Sequence, residues 1–159
     1  MTNFVSEILL LLFIINVGTA FGAGVYEAKI VIPQWTAVPA GAGFHWNAEA
    51  ARRTDPGPKF WAFLTTVPLT LLTLASLVAA WYCVSPRREL WLGAAVVVLV
   101  ERIVTFGYFI PTMVKLQREA VRSPTVETTV SRWISLNHVR NGIYLAAWIT
   151  ALQAFALAR

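Results

Sequence analysis

Leu90–Val114 reads LWLGAAVVVLVERIVTFGYFIPTMV. An uncharged run from Leu90 to Val100 meets Glu101-Arg102, and Ile103 to Val114 is uncharged again. The stretch is long enough to cross a bilayer as a helix, which takes about 20 residues. An ionised group at that depth costs roughly 2.5–3.5 kcal/mol on insertion scales, so Glu101 and Arg102 face protein or a wet cavity rather than lipid. Two readings stand side by side, a structural ion pair between helices and a functional site. Successive helical residues point about 100° apart. Arg102 is therefore a poor partner for Glu101, and the expected mate of this structural ion pair is Arg140.

Working outward, three more segments have the same apolar character. The chain has 159 residues, 57% of them hydrophobic, and a mean hydropathy of +0.62. That is the composition of a membrane protein. The spans are read at about 3–32, 60–84, 90–114 and 133–157. Backbone groups in lipid must be satisfied within the segment, so the spans are helices. The expected fold is all-α, an integral membrane four-helix bundle with a folded loop between helices 1 and 2, forming a single domain over 1–159. The first span carries Glu7 and lacks a basic n-region, and its apolar run is too long for a signal peptide. It is expected to be a retained helix.

The net charge is +5. In this chain the cations sit in loops and at span ends, where they meet lipid headgroups. Membrane lipid is the expected partner and nucleic acid is not. The short basic turn Ser85-Pro86-Arg87-Arg88 favours termini in the cytoplasm and a place in the cell (inner) membrane. The longer loops pull the other way, with Arg52, Arg53, Lys59, Lys115, Arg118, Arg122 and Arg132. Cys83 is the only cysteine, so no internal disulfide forms.

Residues at helical spacing share a face. Asn16, Thr19, Ala23 and Glu27 line one side of span one. Thr66, Thr70 and Thr73 do so in span two, with Pro68 as a kink. Glu101, Thr105, Tyr108 and Thr112 align in span three. Trp133, Asn137, Arg140, Asn141, Tyr144 and Trp148 align in span four. Polar stripes that avoid lipid converge inside. The expected site lies under the first loop, with Glu101 and Asn16 as its floor. Trp35, Phe44 and Trp46 of that loop are expected to be buried, and the Asn47 to Arg53 stretch to form a short helix. The loop over Gln117 to Val130 reads as plain and polar.

The chemistry is less specific than the topology. No phosphate loop, zinc motif or nucleophile elbow is present. His45 and His138 are the only histidines and hence base candidates. His138 is better read as a residue at the headgroup boundary. No cofactor is predicted. Glu27, His45, Glu101 and His138 leave a carboxylate–histidine metal site open, and haem with it, although no spacing is diagnostic. Trp46, with Trp133 and Trp148, can wall an aromatic pocket for a small aromatic ligand.

Phe21 to Tyr26, Ile30 to Pro33, Tyr108 to Thr112, and Trp133 with Leu136 to Arg140 together resemble the anthrone oxygenase-like family. These are small four-helix integral membrane proteins, long catalogued as a domain of unknown function. The resemblance implies the four-helix fold. For some members it implies a monooxygenase that oxidises a phenolic anthrone with dioxygen, without metal or flavin. On that reading His45 or Glu27 is the base, and Arg140 with Asn137 clamps the substrate anion. Tyr26, Tyr108, Asn137, Asn141, Tyr144 and Trp46 would contact the substrate. The function expected is an oxygenase or redox enzyme acting on an aromatic, lipid-soluble substrate. The alternative is a non-catalytic membrane binding or partner subunit that holds a lipid, a quinone or a protein helix. A transporter is a third reading, and it would call for a homo-oligomer.

Overall fold

The computed structural model describes residues 3–36, 46–54, 56–119 and 123–157. The chain is all-α and has the apolar helices of an integral membrane protein, but the four-helix bundle of four spans is not what it forms. Five helices are present among the described residues, and three of them are long and apolar enough to cross a membrane. These three are α1 (Phe4–Trp35), α3 (Gly57–Trp81) and α4 (Arg87–Arg118). The short helix α2 (Ala48–Thr54) comes from the loop after span one. The last helix, α5 (Pro124–Ala156), has 33 residues. It is long enough, but Glu127, Arg132, Asn137, Arg140, Asn141 and Gln153 dilute its apolar character. It falls outside the spanning set for that reason.

Helix α5 packs between α1 and α4, and α3 packs against the same two helices. Their outer faces carry exposed Leu11, Ile15, Phe63, Leu71, Val78, Val96 and Ile103. Such a surface is stable in contact with lipid tails, which supports association with membrane lipid. Inside are two apolar cores. One gathers Leu10, Phe13, Val17, Leu69, Trp91, Val98 and Ala147. The other gathers Ile32, Trp35, Trp46, Ala51, Phe109, Leu116 and Trp133. Along α1, α4 and α5 the buried polar residues fall between these two cores. They are Glu27 on α1, Glu101, Arg102 and Thr105 on α4, and Asn137 and Asn141 on α5.

Three stretches of wider π-helix interrupt the α-helices, at Glu27–Val31, Gly57–Thr66 and Thr105–Phe109. Each precedes a proline, namely Pro33, Pro68 or Pro111. Proline offers no N–H, so the carbonyl four residues before it loses its α-helical donor. For Pro68 that carbonyl belongs to Leu64, and Asn16 Nδ2 donates to it at 3.0 Å. The polar residue on α1 thus completes the backbone of α3.

The loop expectation is met where the structure describes it. Trp35 and Trp46 are buried and meet edge to face at 6.2 Å. Trp46 Nε1 donates to the Leu116 carbonyl at 3.1 Å, and Trp35 Nε1 donates to Thr54 Oγ1 at 2.7 Å. The expected short helix is α2. Phe44 and His45 lie outside the described residues. The loop expected over Gln117 to Val130 is much shorter than that. Ser123 caps α5 by accepting from the Val126 N–H at 3.2 Å, and Pro124 opens the helix.

Candidate functional site

The buried polar residues form two ion pairs, and the pairing differs from the one expected. Arg102 pairs with Glu101 at 2.6 Å, and its Nε donates to Oε2 at 2.7 Å. Their backbone directions do diverge, but the long guanidinium stem folds back over its neighbour. Tyr144 Oη donates to Glu101 Oε2 at 2.5 Å, and Thr105 Oγ1 donates to Oε1 at 2.5 Å. Arg102 also donates to the Tyr144 hydroxyl. Glu101 therefore faces inward, held by α5 through Tyr144, and its carboxylate has donors on both oxygens.

Arg140 pairs with Glu27 instead, at the longer distance of 3.6 Å. Trp61 Nε1 from α3 donates to Glu27 Oε1 at 3.0 Å. Asn137 lies wholly buried beside the Glu27 carboxylate, although among the described residues neither of its amide atoms makes a well-formed hydrogen bond. The Arg140 guanidinium lies over the Phe109 ring, 4.6 Å from its centroid, and 5.8 Å from that of Trp61. Its Nε has no hydrogen-bond partner among the described residues. Two carboxylates and two guanidiniums, drawn from α1, α4 and α5, thus make a quartet of two ion pairs.

Between α4 and α5 the surface opens into a groove of about 290 Å³. Val96, Val97, Val100 and Val104 form one wall, Leu136, Val139 and Ile143 the other, and Phe109 closes one end. Its lining is almost wholly apolar, and Glu101 and Arg140 reach it at its inner side. Val100 and Val139 are more than half exposed, so the groove opens sideways towards lipid.

The other expected site residues are scattered. Asn141 is buried beside Gly24, where an added Cβ would collide with its side chain. Tyr26 is 60% exposed and turned away from the quartet, although it precedes Glu27. Tyr108 is half-buried with its ring against Phe109. Trp46 belongs to the second core, apart from the groove. His138 is exposed, with Nδ1 2.9 Å from the Ile134 carbonyl. Trp61, Arg102 and Phe109 are the participants that stripe reasoning missed. Pro33 and Pro111, which follow Glu27 and Thr105 at matching distance, were a readable sign that these levels are special.

The oxygenase and oxidoreductase reading is not supported. Glu27, one of its two proposed bases, is held by Trp61 and Arg140. Among the described residues no three His, Cys, Asp or Glu side chains come together. No protein family, curated protein or solved structure matches the chain, so the resemblance to anthrone oxygenases has no support beyond the all-α membrane fold.

Proposed function

We propose that this integral membrane protein is a non-catalytic binding protein that takes a lipophilic small molecule from the bilayer into the groove between α4 and α5. The carrying observation is the groove itself. It is a cleft with apolar walls that opens towards lipid. Small-molecule sites are concave and lined predominantly by apolar side chains. Binding is favoured over catalysis because the acids here are engaged. Glu101 accepts from Arg102, Tyr144 and Thr105, and Glu27 accepts from Trp61 beside Arg140.

The test is photolabelling of the purified protein in lipid nanodiscs with a diazirine-bearing hexadecanol. Labelling within 96–104 and 136–143 is expected to saturate and to be suppressed by excess plain hexadecanol. Labelling of Leu71 and Val78, on the open lipid face, is expected to rise linearly and to resist competition. Linear labelling everywhere would make the groove ordinary lipid-facing surface. A groove protected from the probe, with chains cross-linked to one another, would replace the small ligand by a helix of a second copy. Either result ends this reading.

A further inference from the structure

We infer that the end of the molecule under the first loop stands out of the hydrocarbon as a cap, and that the base of this cap binds anionic phospholipid headgroups through Lys29, Lys59 and Arg132. These three residues lie outside the groove. Length, surface and charge each point to this cap.

Helices α1 and α4 have 32 residues each, and α5 has 33. Each rises about 48 Å, whereas the hydrocarbon core is about 30 Å thick. A tilt of about 20° recovers only about 3 Å. Roughly 15 Å of each helix must therefore lie outside the core. Helix α3 marks the two boundaries. Phe60 and Trp61 stand near its start, and exposed Trp81 leads into exposed Tyr82 at its end. Aromatic residues gather at both membrane–water interfaces. From Phe60 to Trp81 the helix rises about 30 Å, which matches the core.

The surface changes at the first of these boundaries. Trp61 donates to Glu27, and Arg140 both pairs with Glu27 and lies on Phe109. These contacts fix one level on all four long helices. Beyond it lie α1 after Glu27, α4 after Phe109, α5 before Arg140, and α2, which close on the second core. On α5 the exposed residues up to His138 include Thr125, Thr128, Ser131, Arg132 and Ser135, and none is large and apolar. From Val139 onward the large exposed residues are Val139, Leu145, Ile149, Leu152 and Leu157. Among the described residues beyond this level, only Ile30, Ile110 and Val114 are large, apolar and exposed. That surface suits water and headgroups rather than acyl chains.

Charge then names the partner. Lys29, Lys59, Lys115, Arg118 and Arg132 are exposed, and among the described residues none of them is in an ion pair. Glu49 is taken by Arg53, which leaves only half-buried Glu119 and Glu127 as further described carboxylates at this end. At the opposite end Arg88 pairs with Glu89 at 3.6 Å, and Arg87 and Glu7 balance one another in number. The excess positive charge is therefore on one side. Lys29 and Lys59 lie within about one turn of the Glu27 level, where the headgroup layer begins. Arg132 stands about two turns further out and reaches back along its long stem. Basic residues at a membrane surface attract anionic lipid. These cations ring the helices at the boundary, so the phosphate they meet is that of the bilayer.

The experiment places the full-length protein in dioleoylphosphatidylcholine vesicles, with spin-labelled phosphatidylglycerol or phosphatidylcholine as the probe. The motionally restricted fraction is expected to favour phosphatidylglycerol about threefold. The preference should vanish in about 1 M salt, where charges are screened within about 3 Å. Lys29→Gln with Lys59→Gln should bring it close to parity. Arg88→Gln, at the opposite turn, should leave it unchanged. Equal restriction of the two lipids by the parent would overturn the headgroup site. So would a preference that survives in the lysine variant or disappears in Arg88→Gln. The cap is checked separately in nanodiscs, with a membrane-impermeant maleimide and Cys83→Ser protein carrying one new cysteine. Ser135→Cys is expected to react at least about tenfold faster than Ile149→Cys, which faces acyl chains. Equal reaction at both positions would place the cap in hydrocarbon and overturn the inference.

Discussion

Arg140 reaches Glu27 at 3.6 Å, whereas Arg102 reaches Glu101 at 2.6 Å. The two pairs should therefore couple separately in stability measurements. In a double-mutant cycle read by SDS unfolding, Glu27→Gln with Arg140→Gln is expected to show a coupling of about 1–3 kcal/mol. Glu101→Gln with Arg140→Gln is expected to show under about 0.5 kcal/mol. A larger coupling for the second combination would restore the pairing expected from helix geometry. Tyr144→Phe removes one donor from a buried carboxylate and should cost about 1.5–3 kcal/mol, as hydrogen bonds to charged groups do. That Glu101 faces inward was legible from the cost of placing a charge in lipid. Its partner was not, because a stripe tracks Cβ directions and ignores how far an arginine stem can fold back. Tyr26 fails in the opposite sense. It was expected to contact the substrate, yet neighbours on a helix face different ways, and Tyr26 lies exposed. Trp61 lies outside the polar stripes read from the sequence. Its indole N–H nonetheless holds Glu27.

The helices themselves carry the next set of consequences. Asn16 on α1 completes the Leu64 carbonyl that Pro68 deprives of a donor on α3. Asn16→Leu should then cost about 1–3 kcal/mol, the penalty of a carbonyl left without a donor on a lipid-facing surface. Pro68→Ala in the Asn16→Leu background should recover part of that loss, since alanine supplies an N–H. If the double variant is no more stable than Asn16→Leu alone, the contact between α1 and α3 has another basis. Gly24→Ala should destabilise by about 1–3 kcal/mol, because its methyl group meets Asn141 where α1 crosses α5. Apolar runs made α1, α3 and α4 readable, and the aromatic content of the first loop made its burial readable. The π-helical stretches were not, because they arise from packing and proline placement together. The start of α5 was missed because Ser123-Pro124 was taken for loop, although serine as cap and proline at the first turn is a helix-start signal.

At the scale of the whole molecule, α5 differs from the helices around it. It is the least apolar of the four long helices, yet it packs against both α1 and α4. In isolation it should insert poorly. In a glycosylation-reporter assay, the segment Pro124–Ala156 alone is expected to remain mostly uninserted, and Arg140→Leu should favour insertion by about 2.5–3.5 kcal/mol. Efficient insertion of the parent segment would show that α5 needs no partner helices. The four-span reading failed here for a physical reason. Counting apolar residues treats each helix as if it met lipid alone, whereas α5 places Asn137 and Asn141 against protein. The buried paired charges have one more effect, on the response to voltage. A transmembrane potential does work of about 2.3 kcal/mol per elementary charge per 100 mV. Glu27, Arg140, Glu101 and Arg102 are tied into pairs of opposite sign, so moving any pair as a unit carries no gating charge. The membrane field then finds almost nothing to pull on, and the protein should hold the same conformation in an energised cell as in a depolarised one.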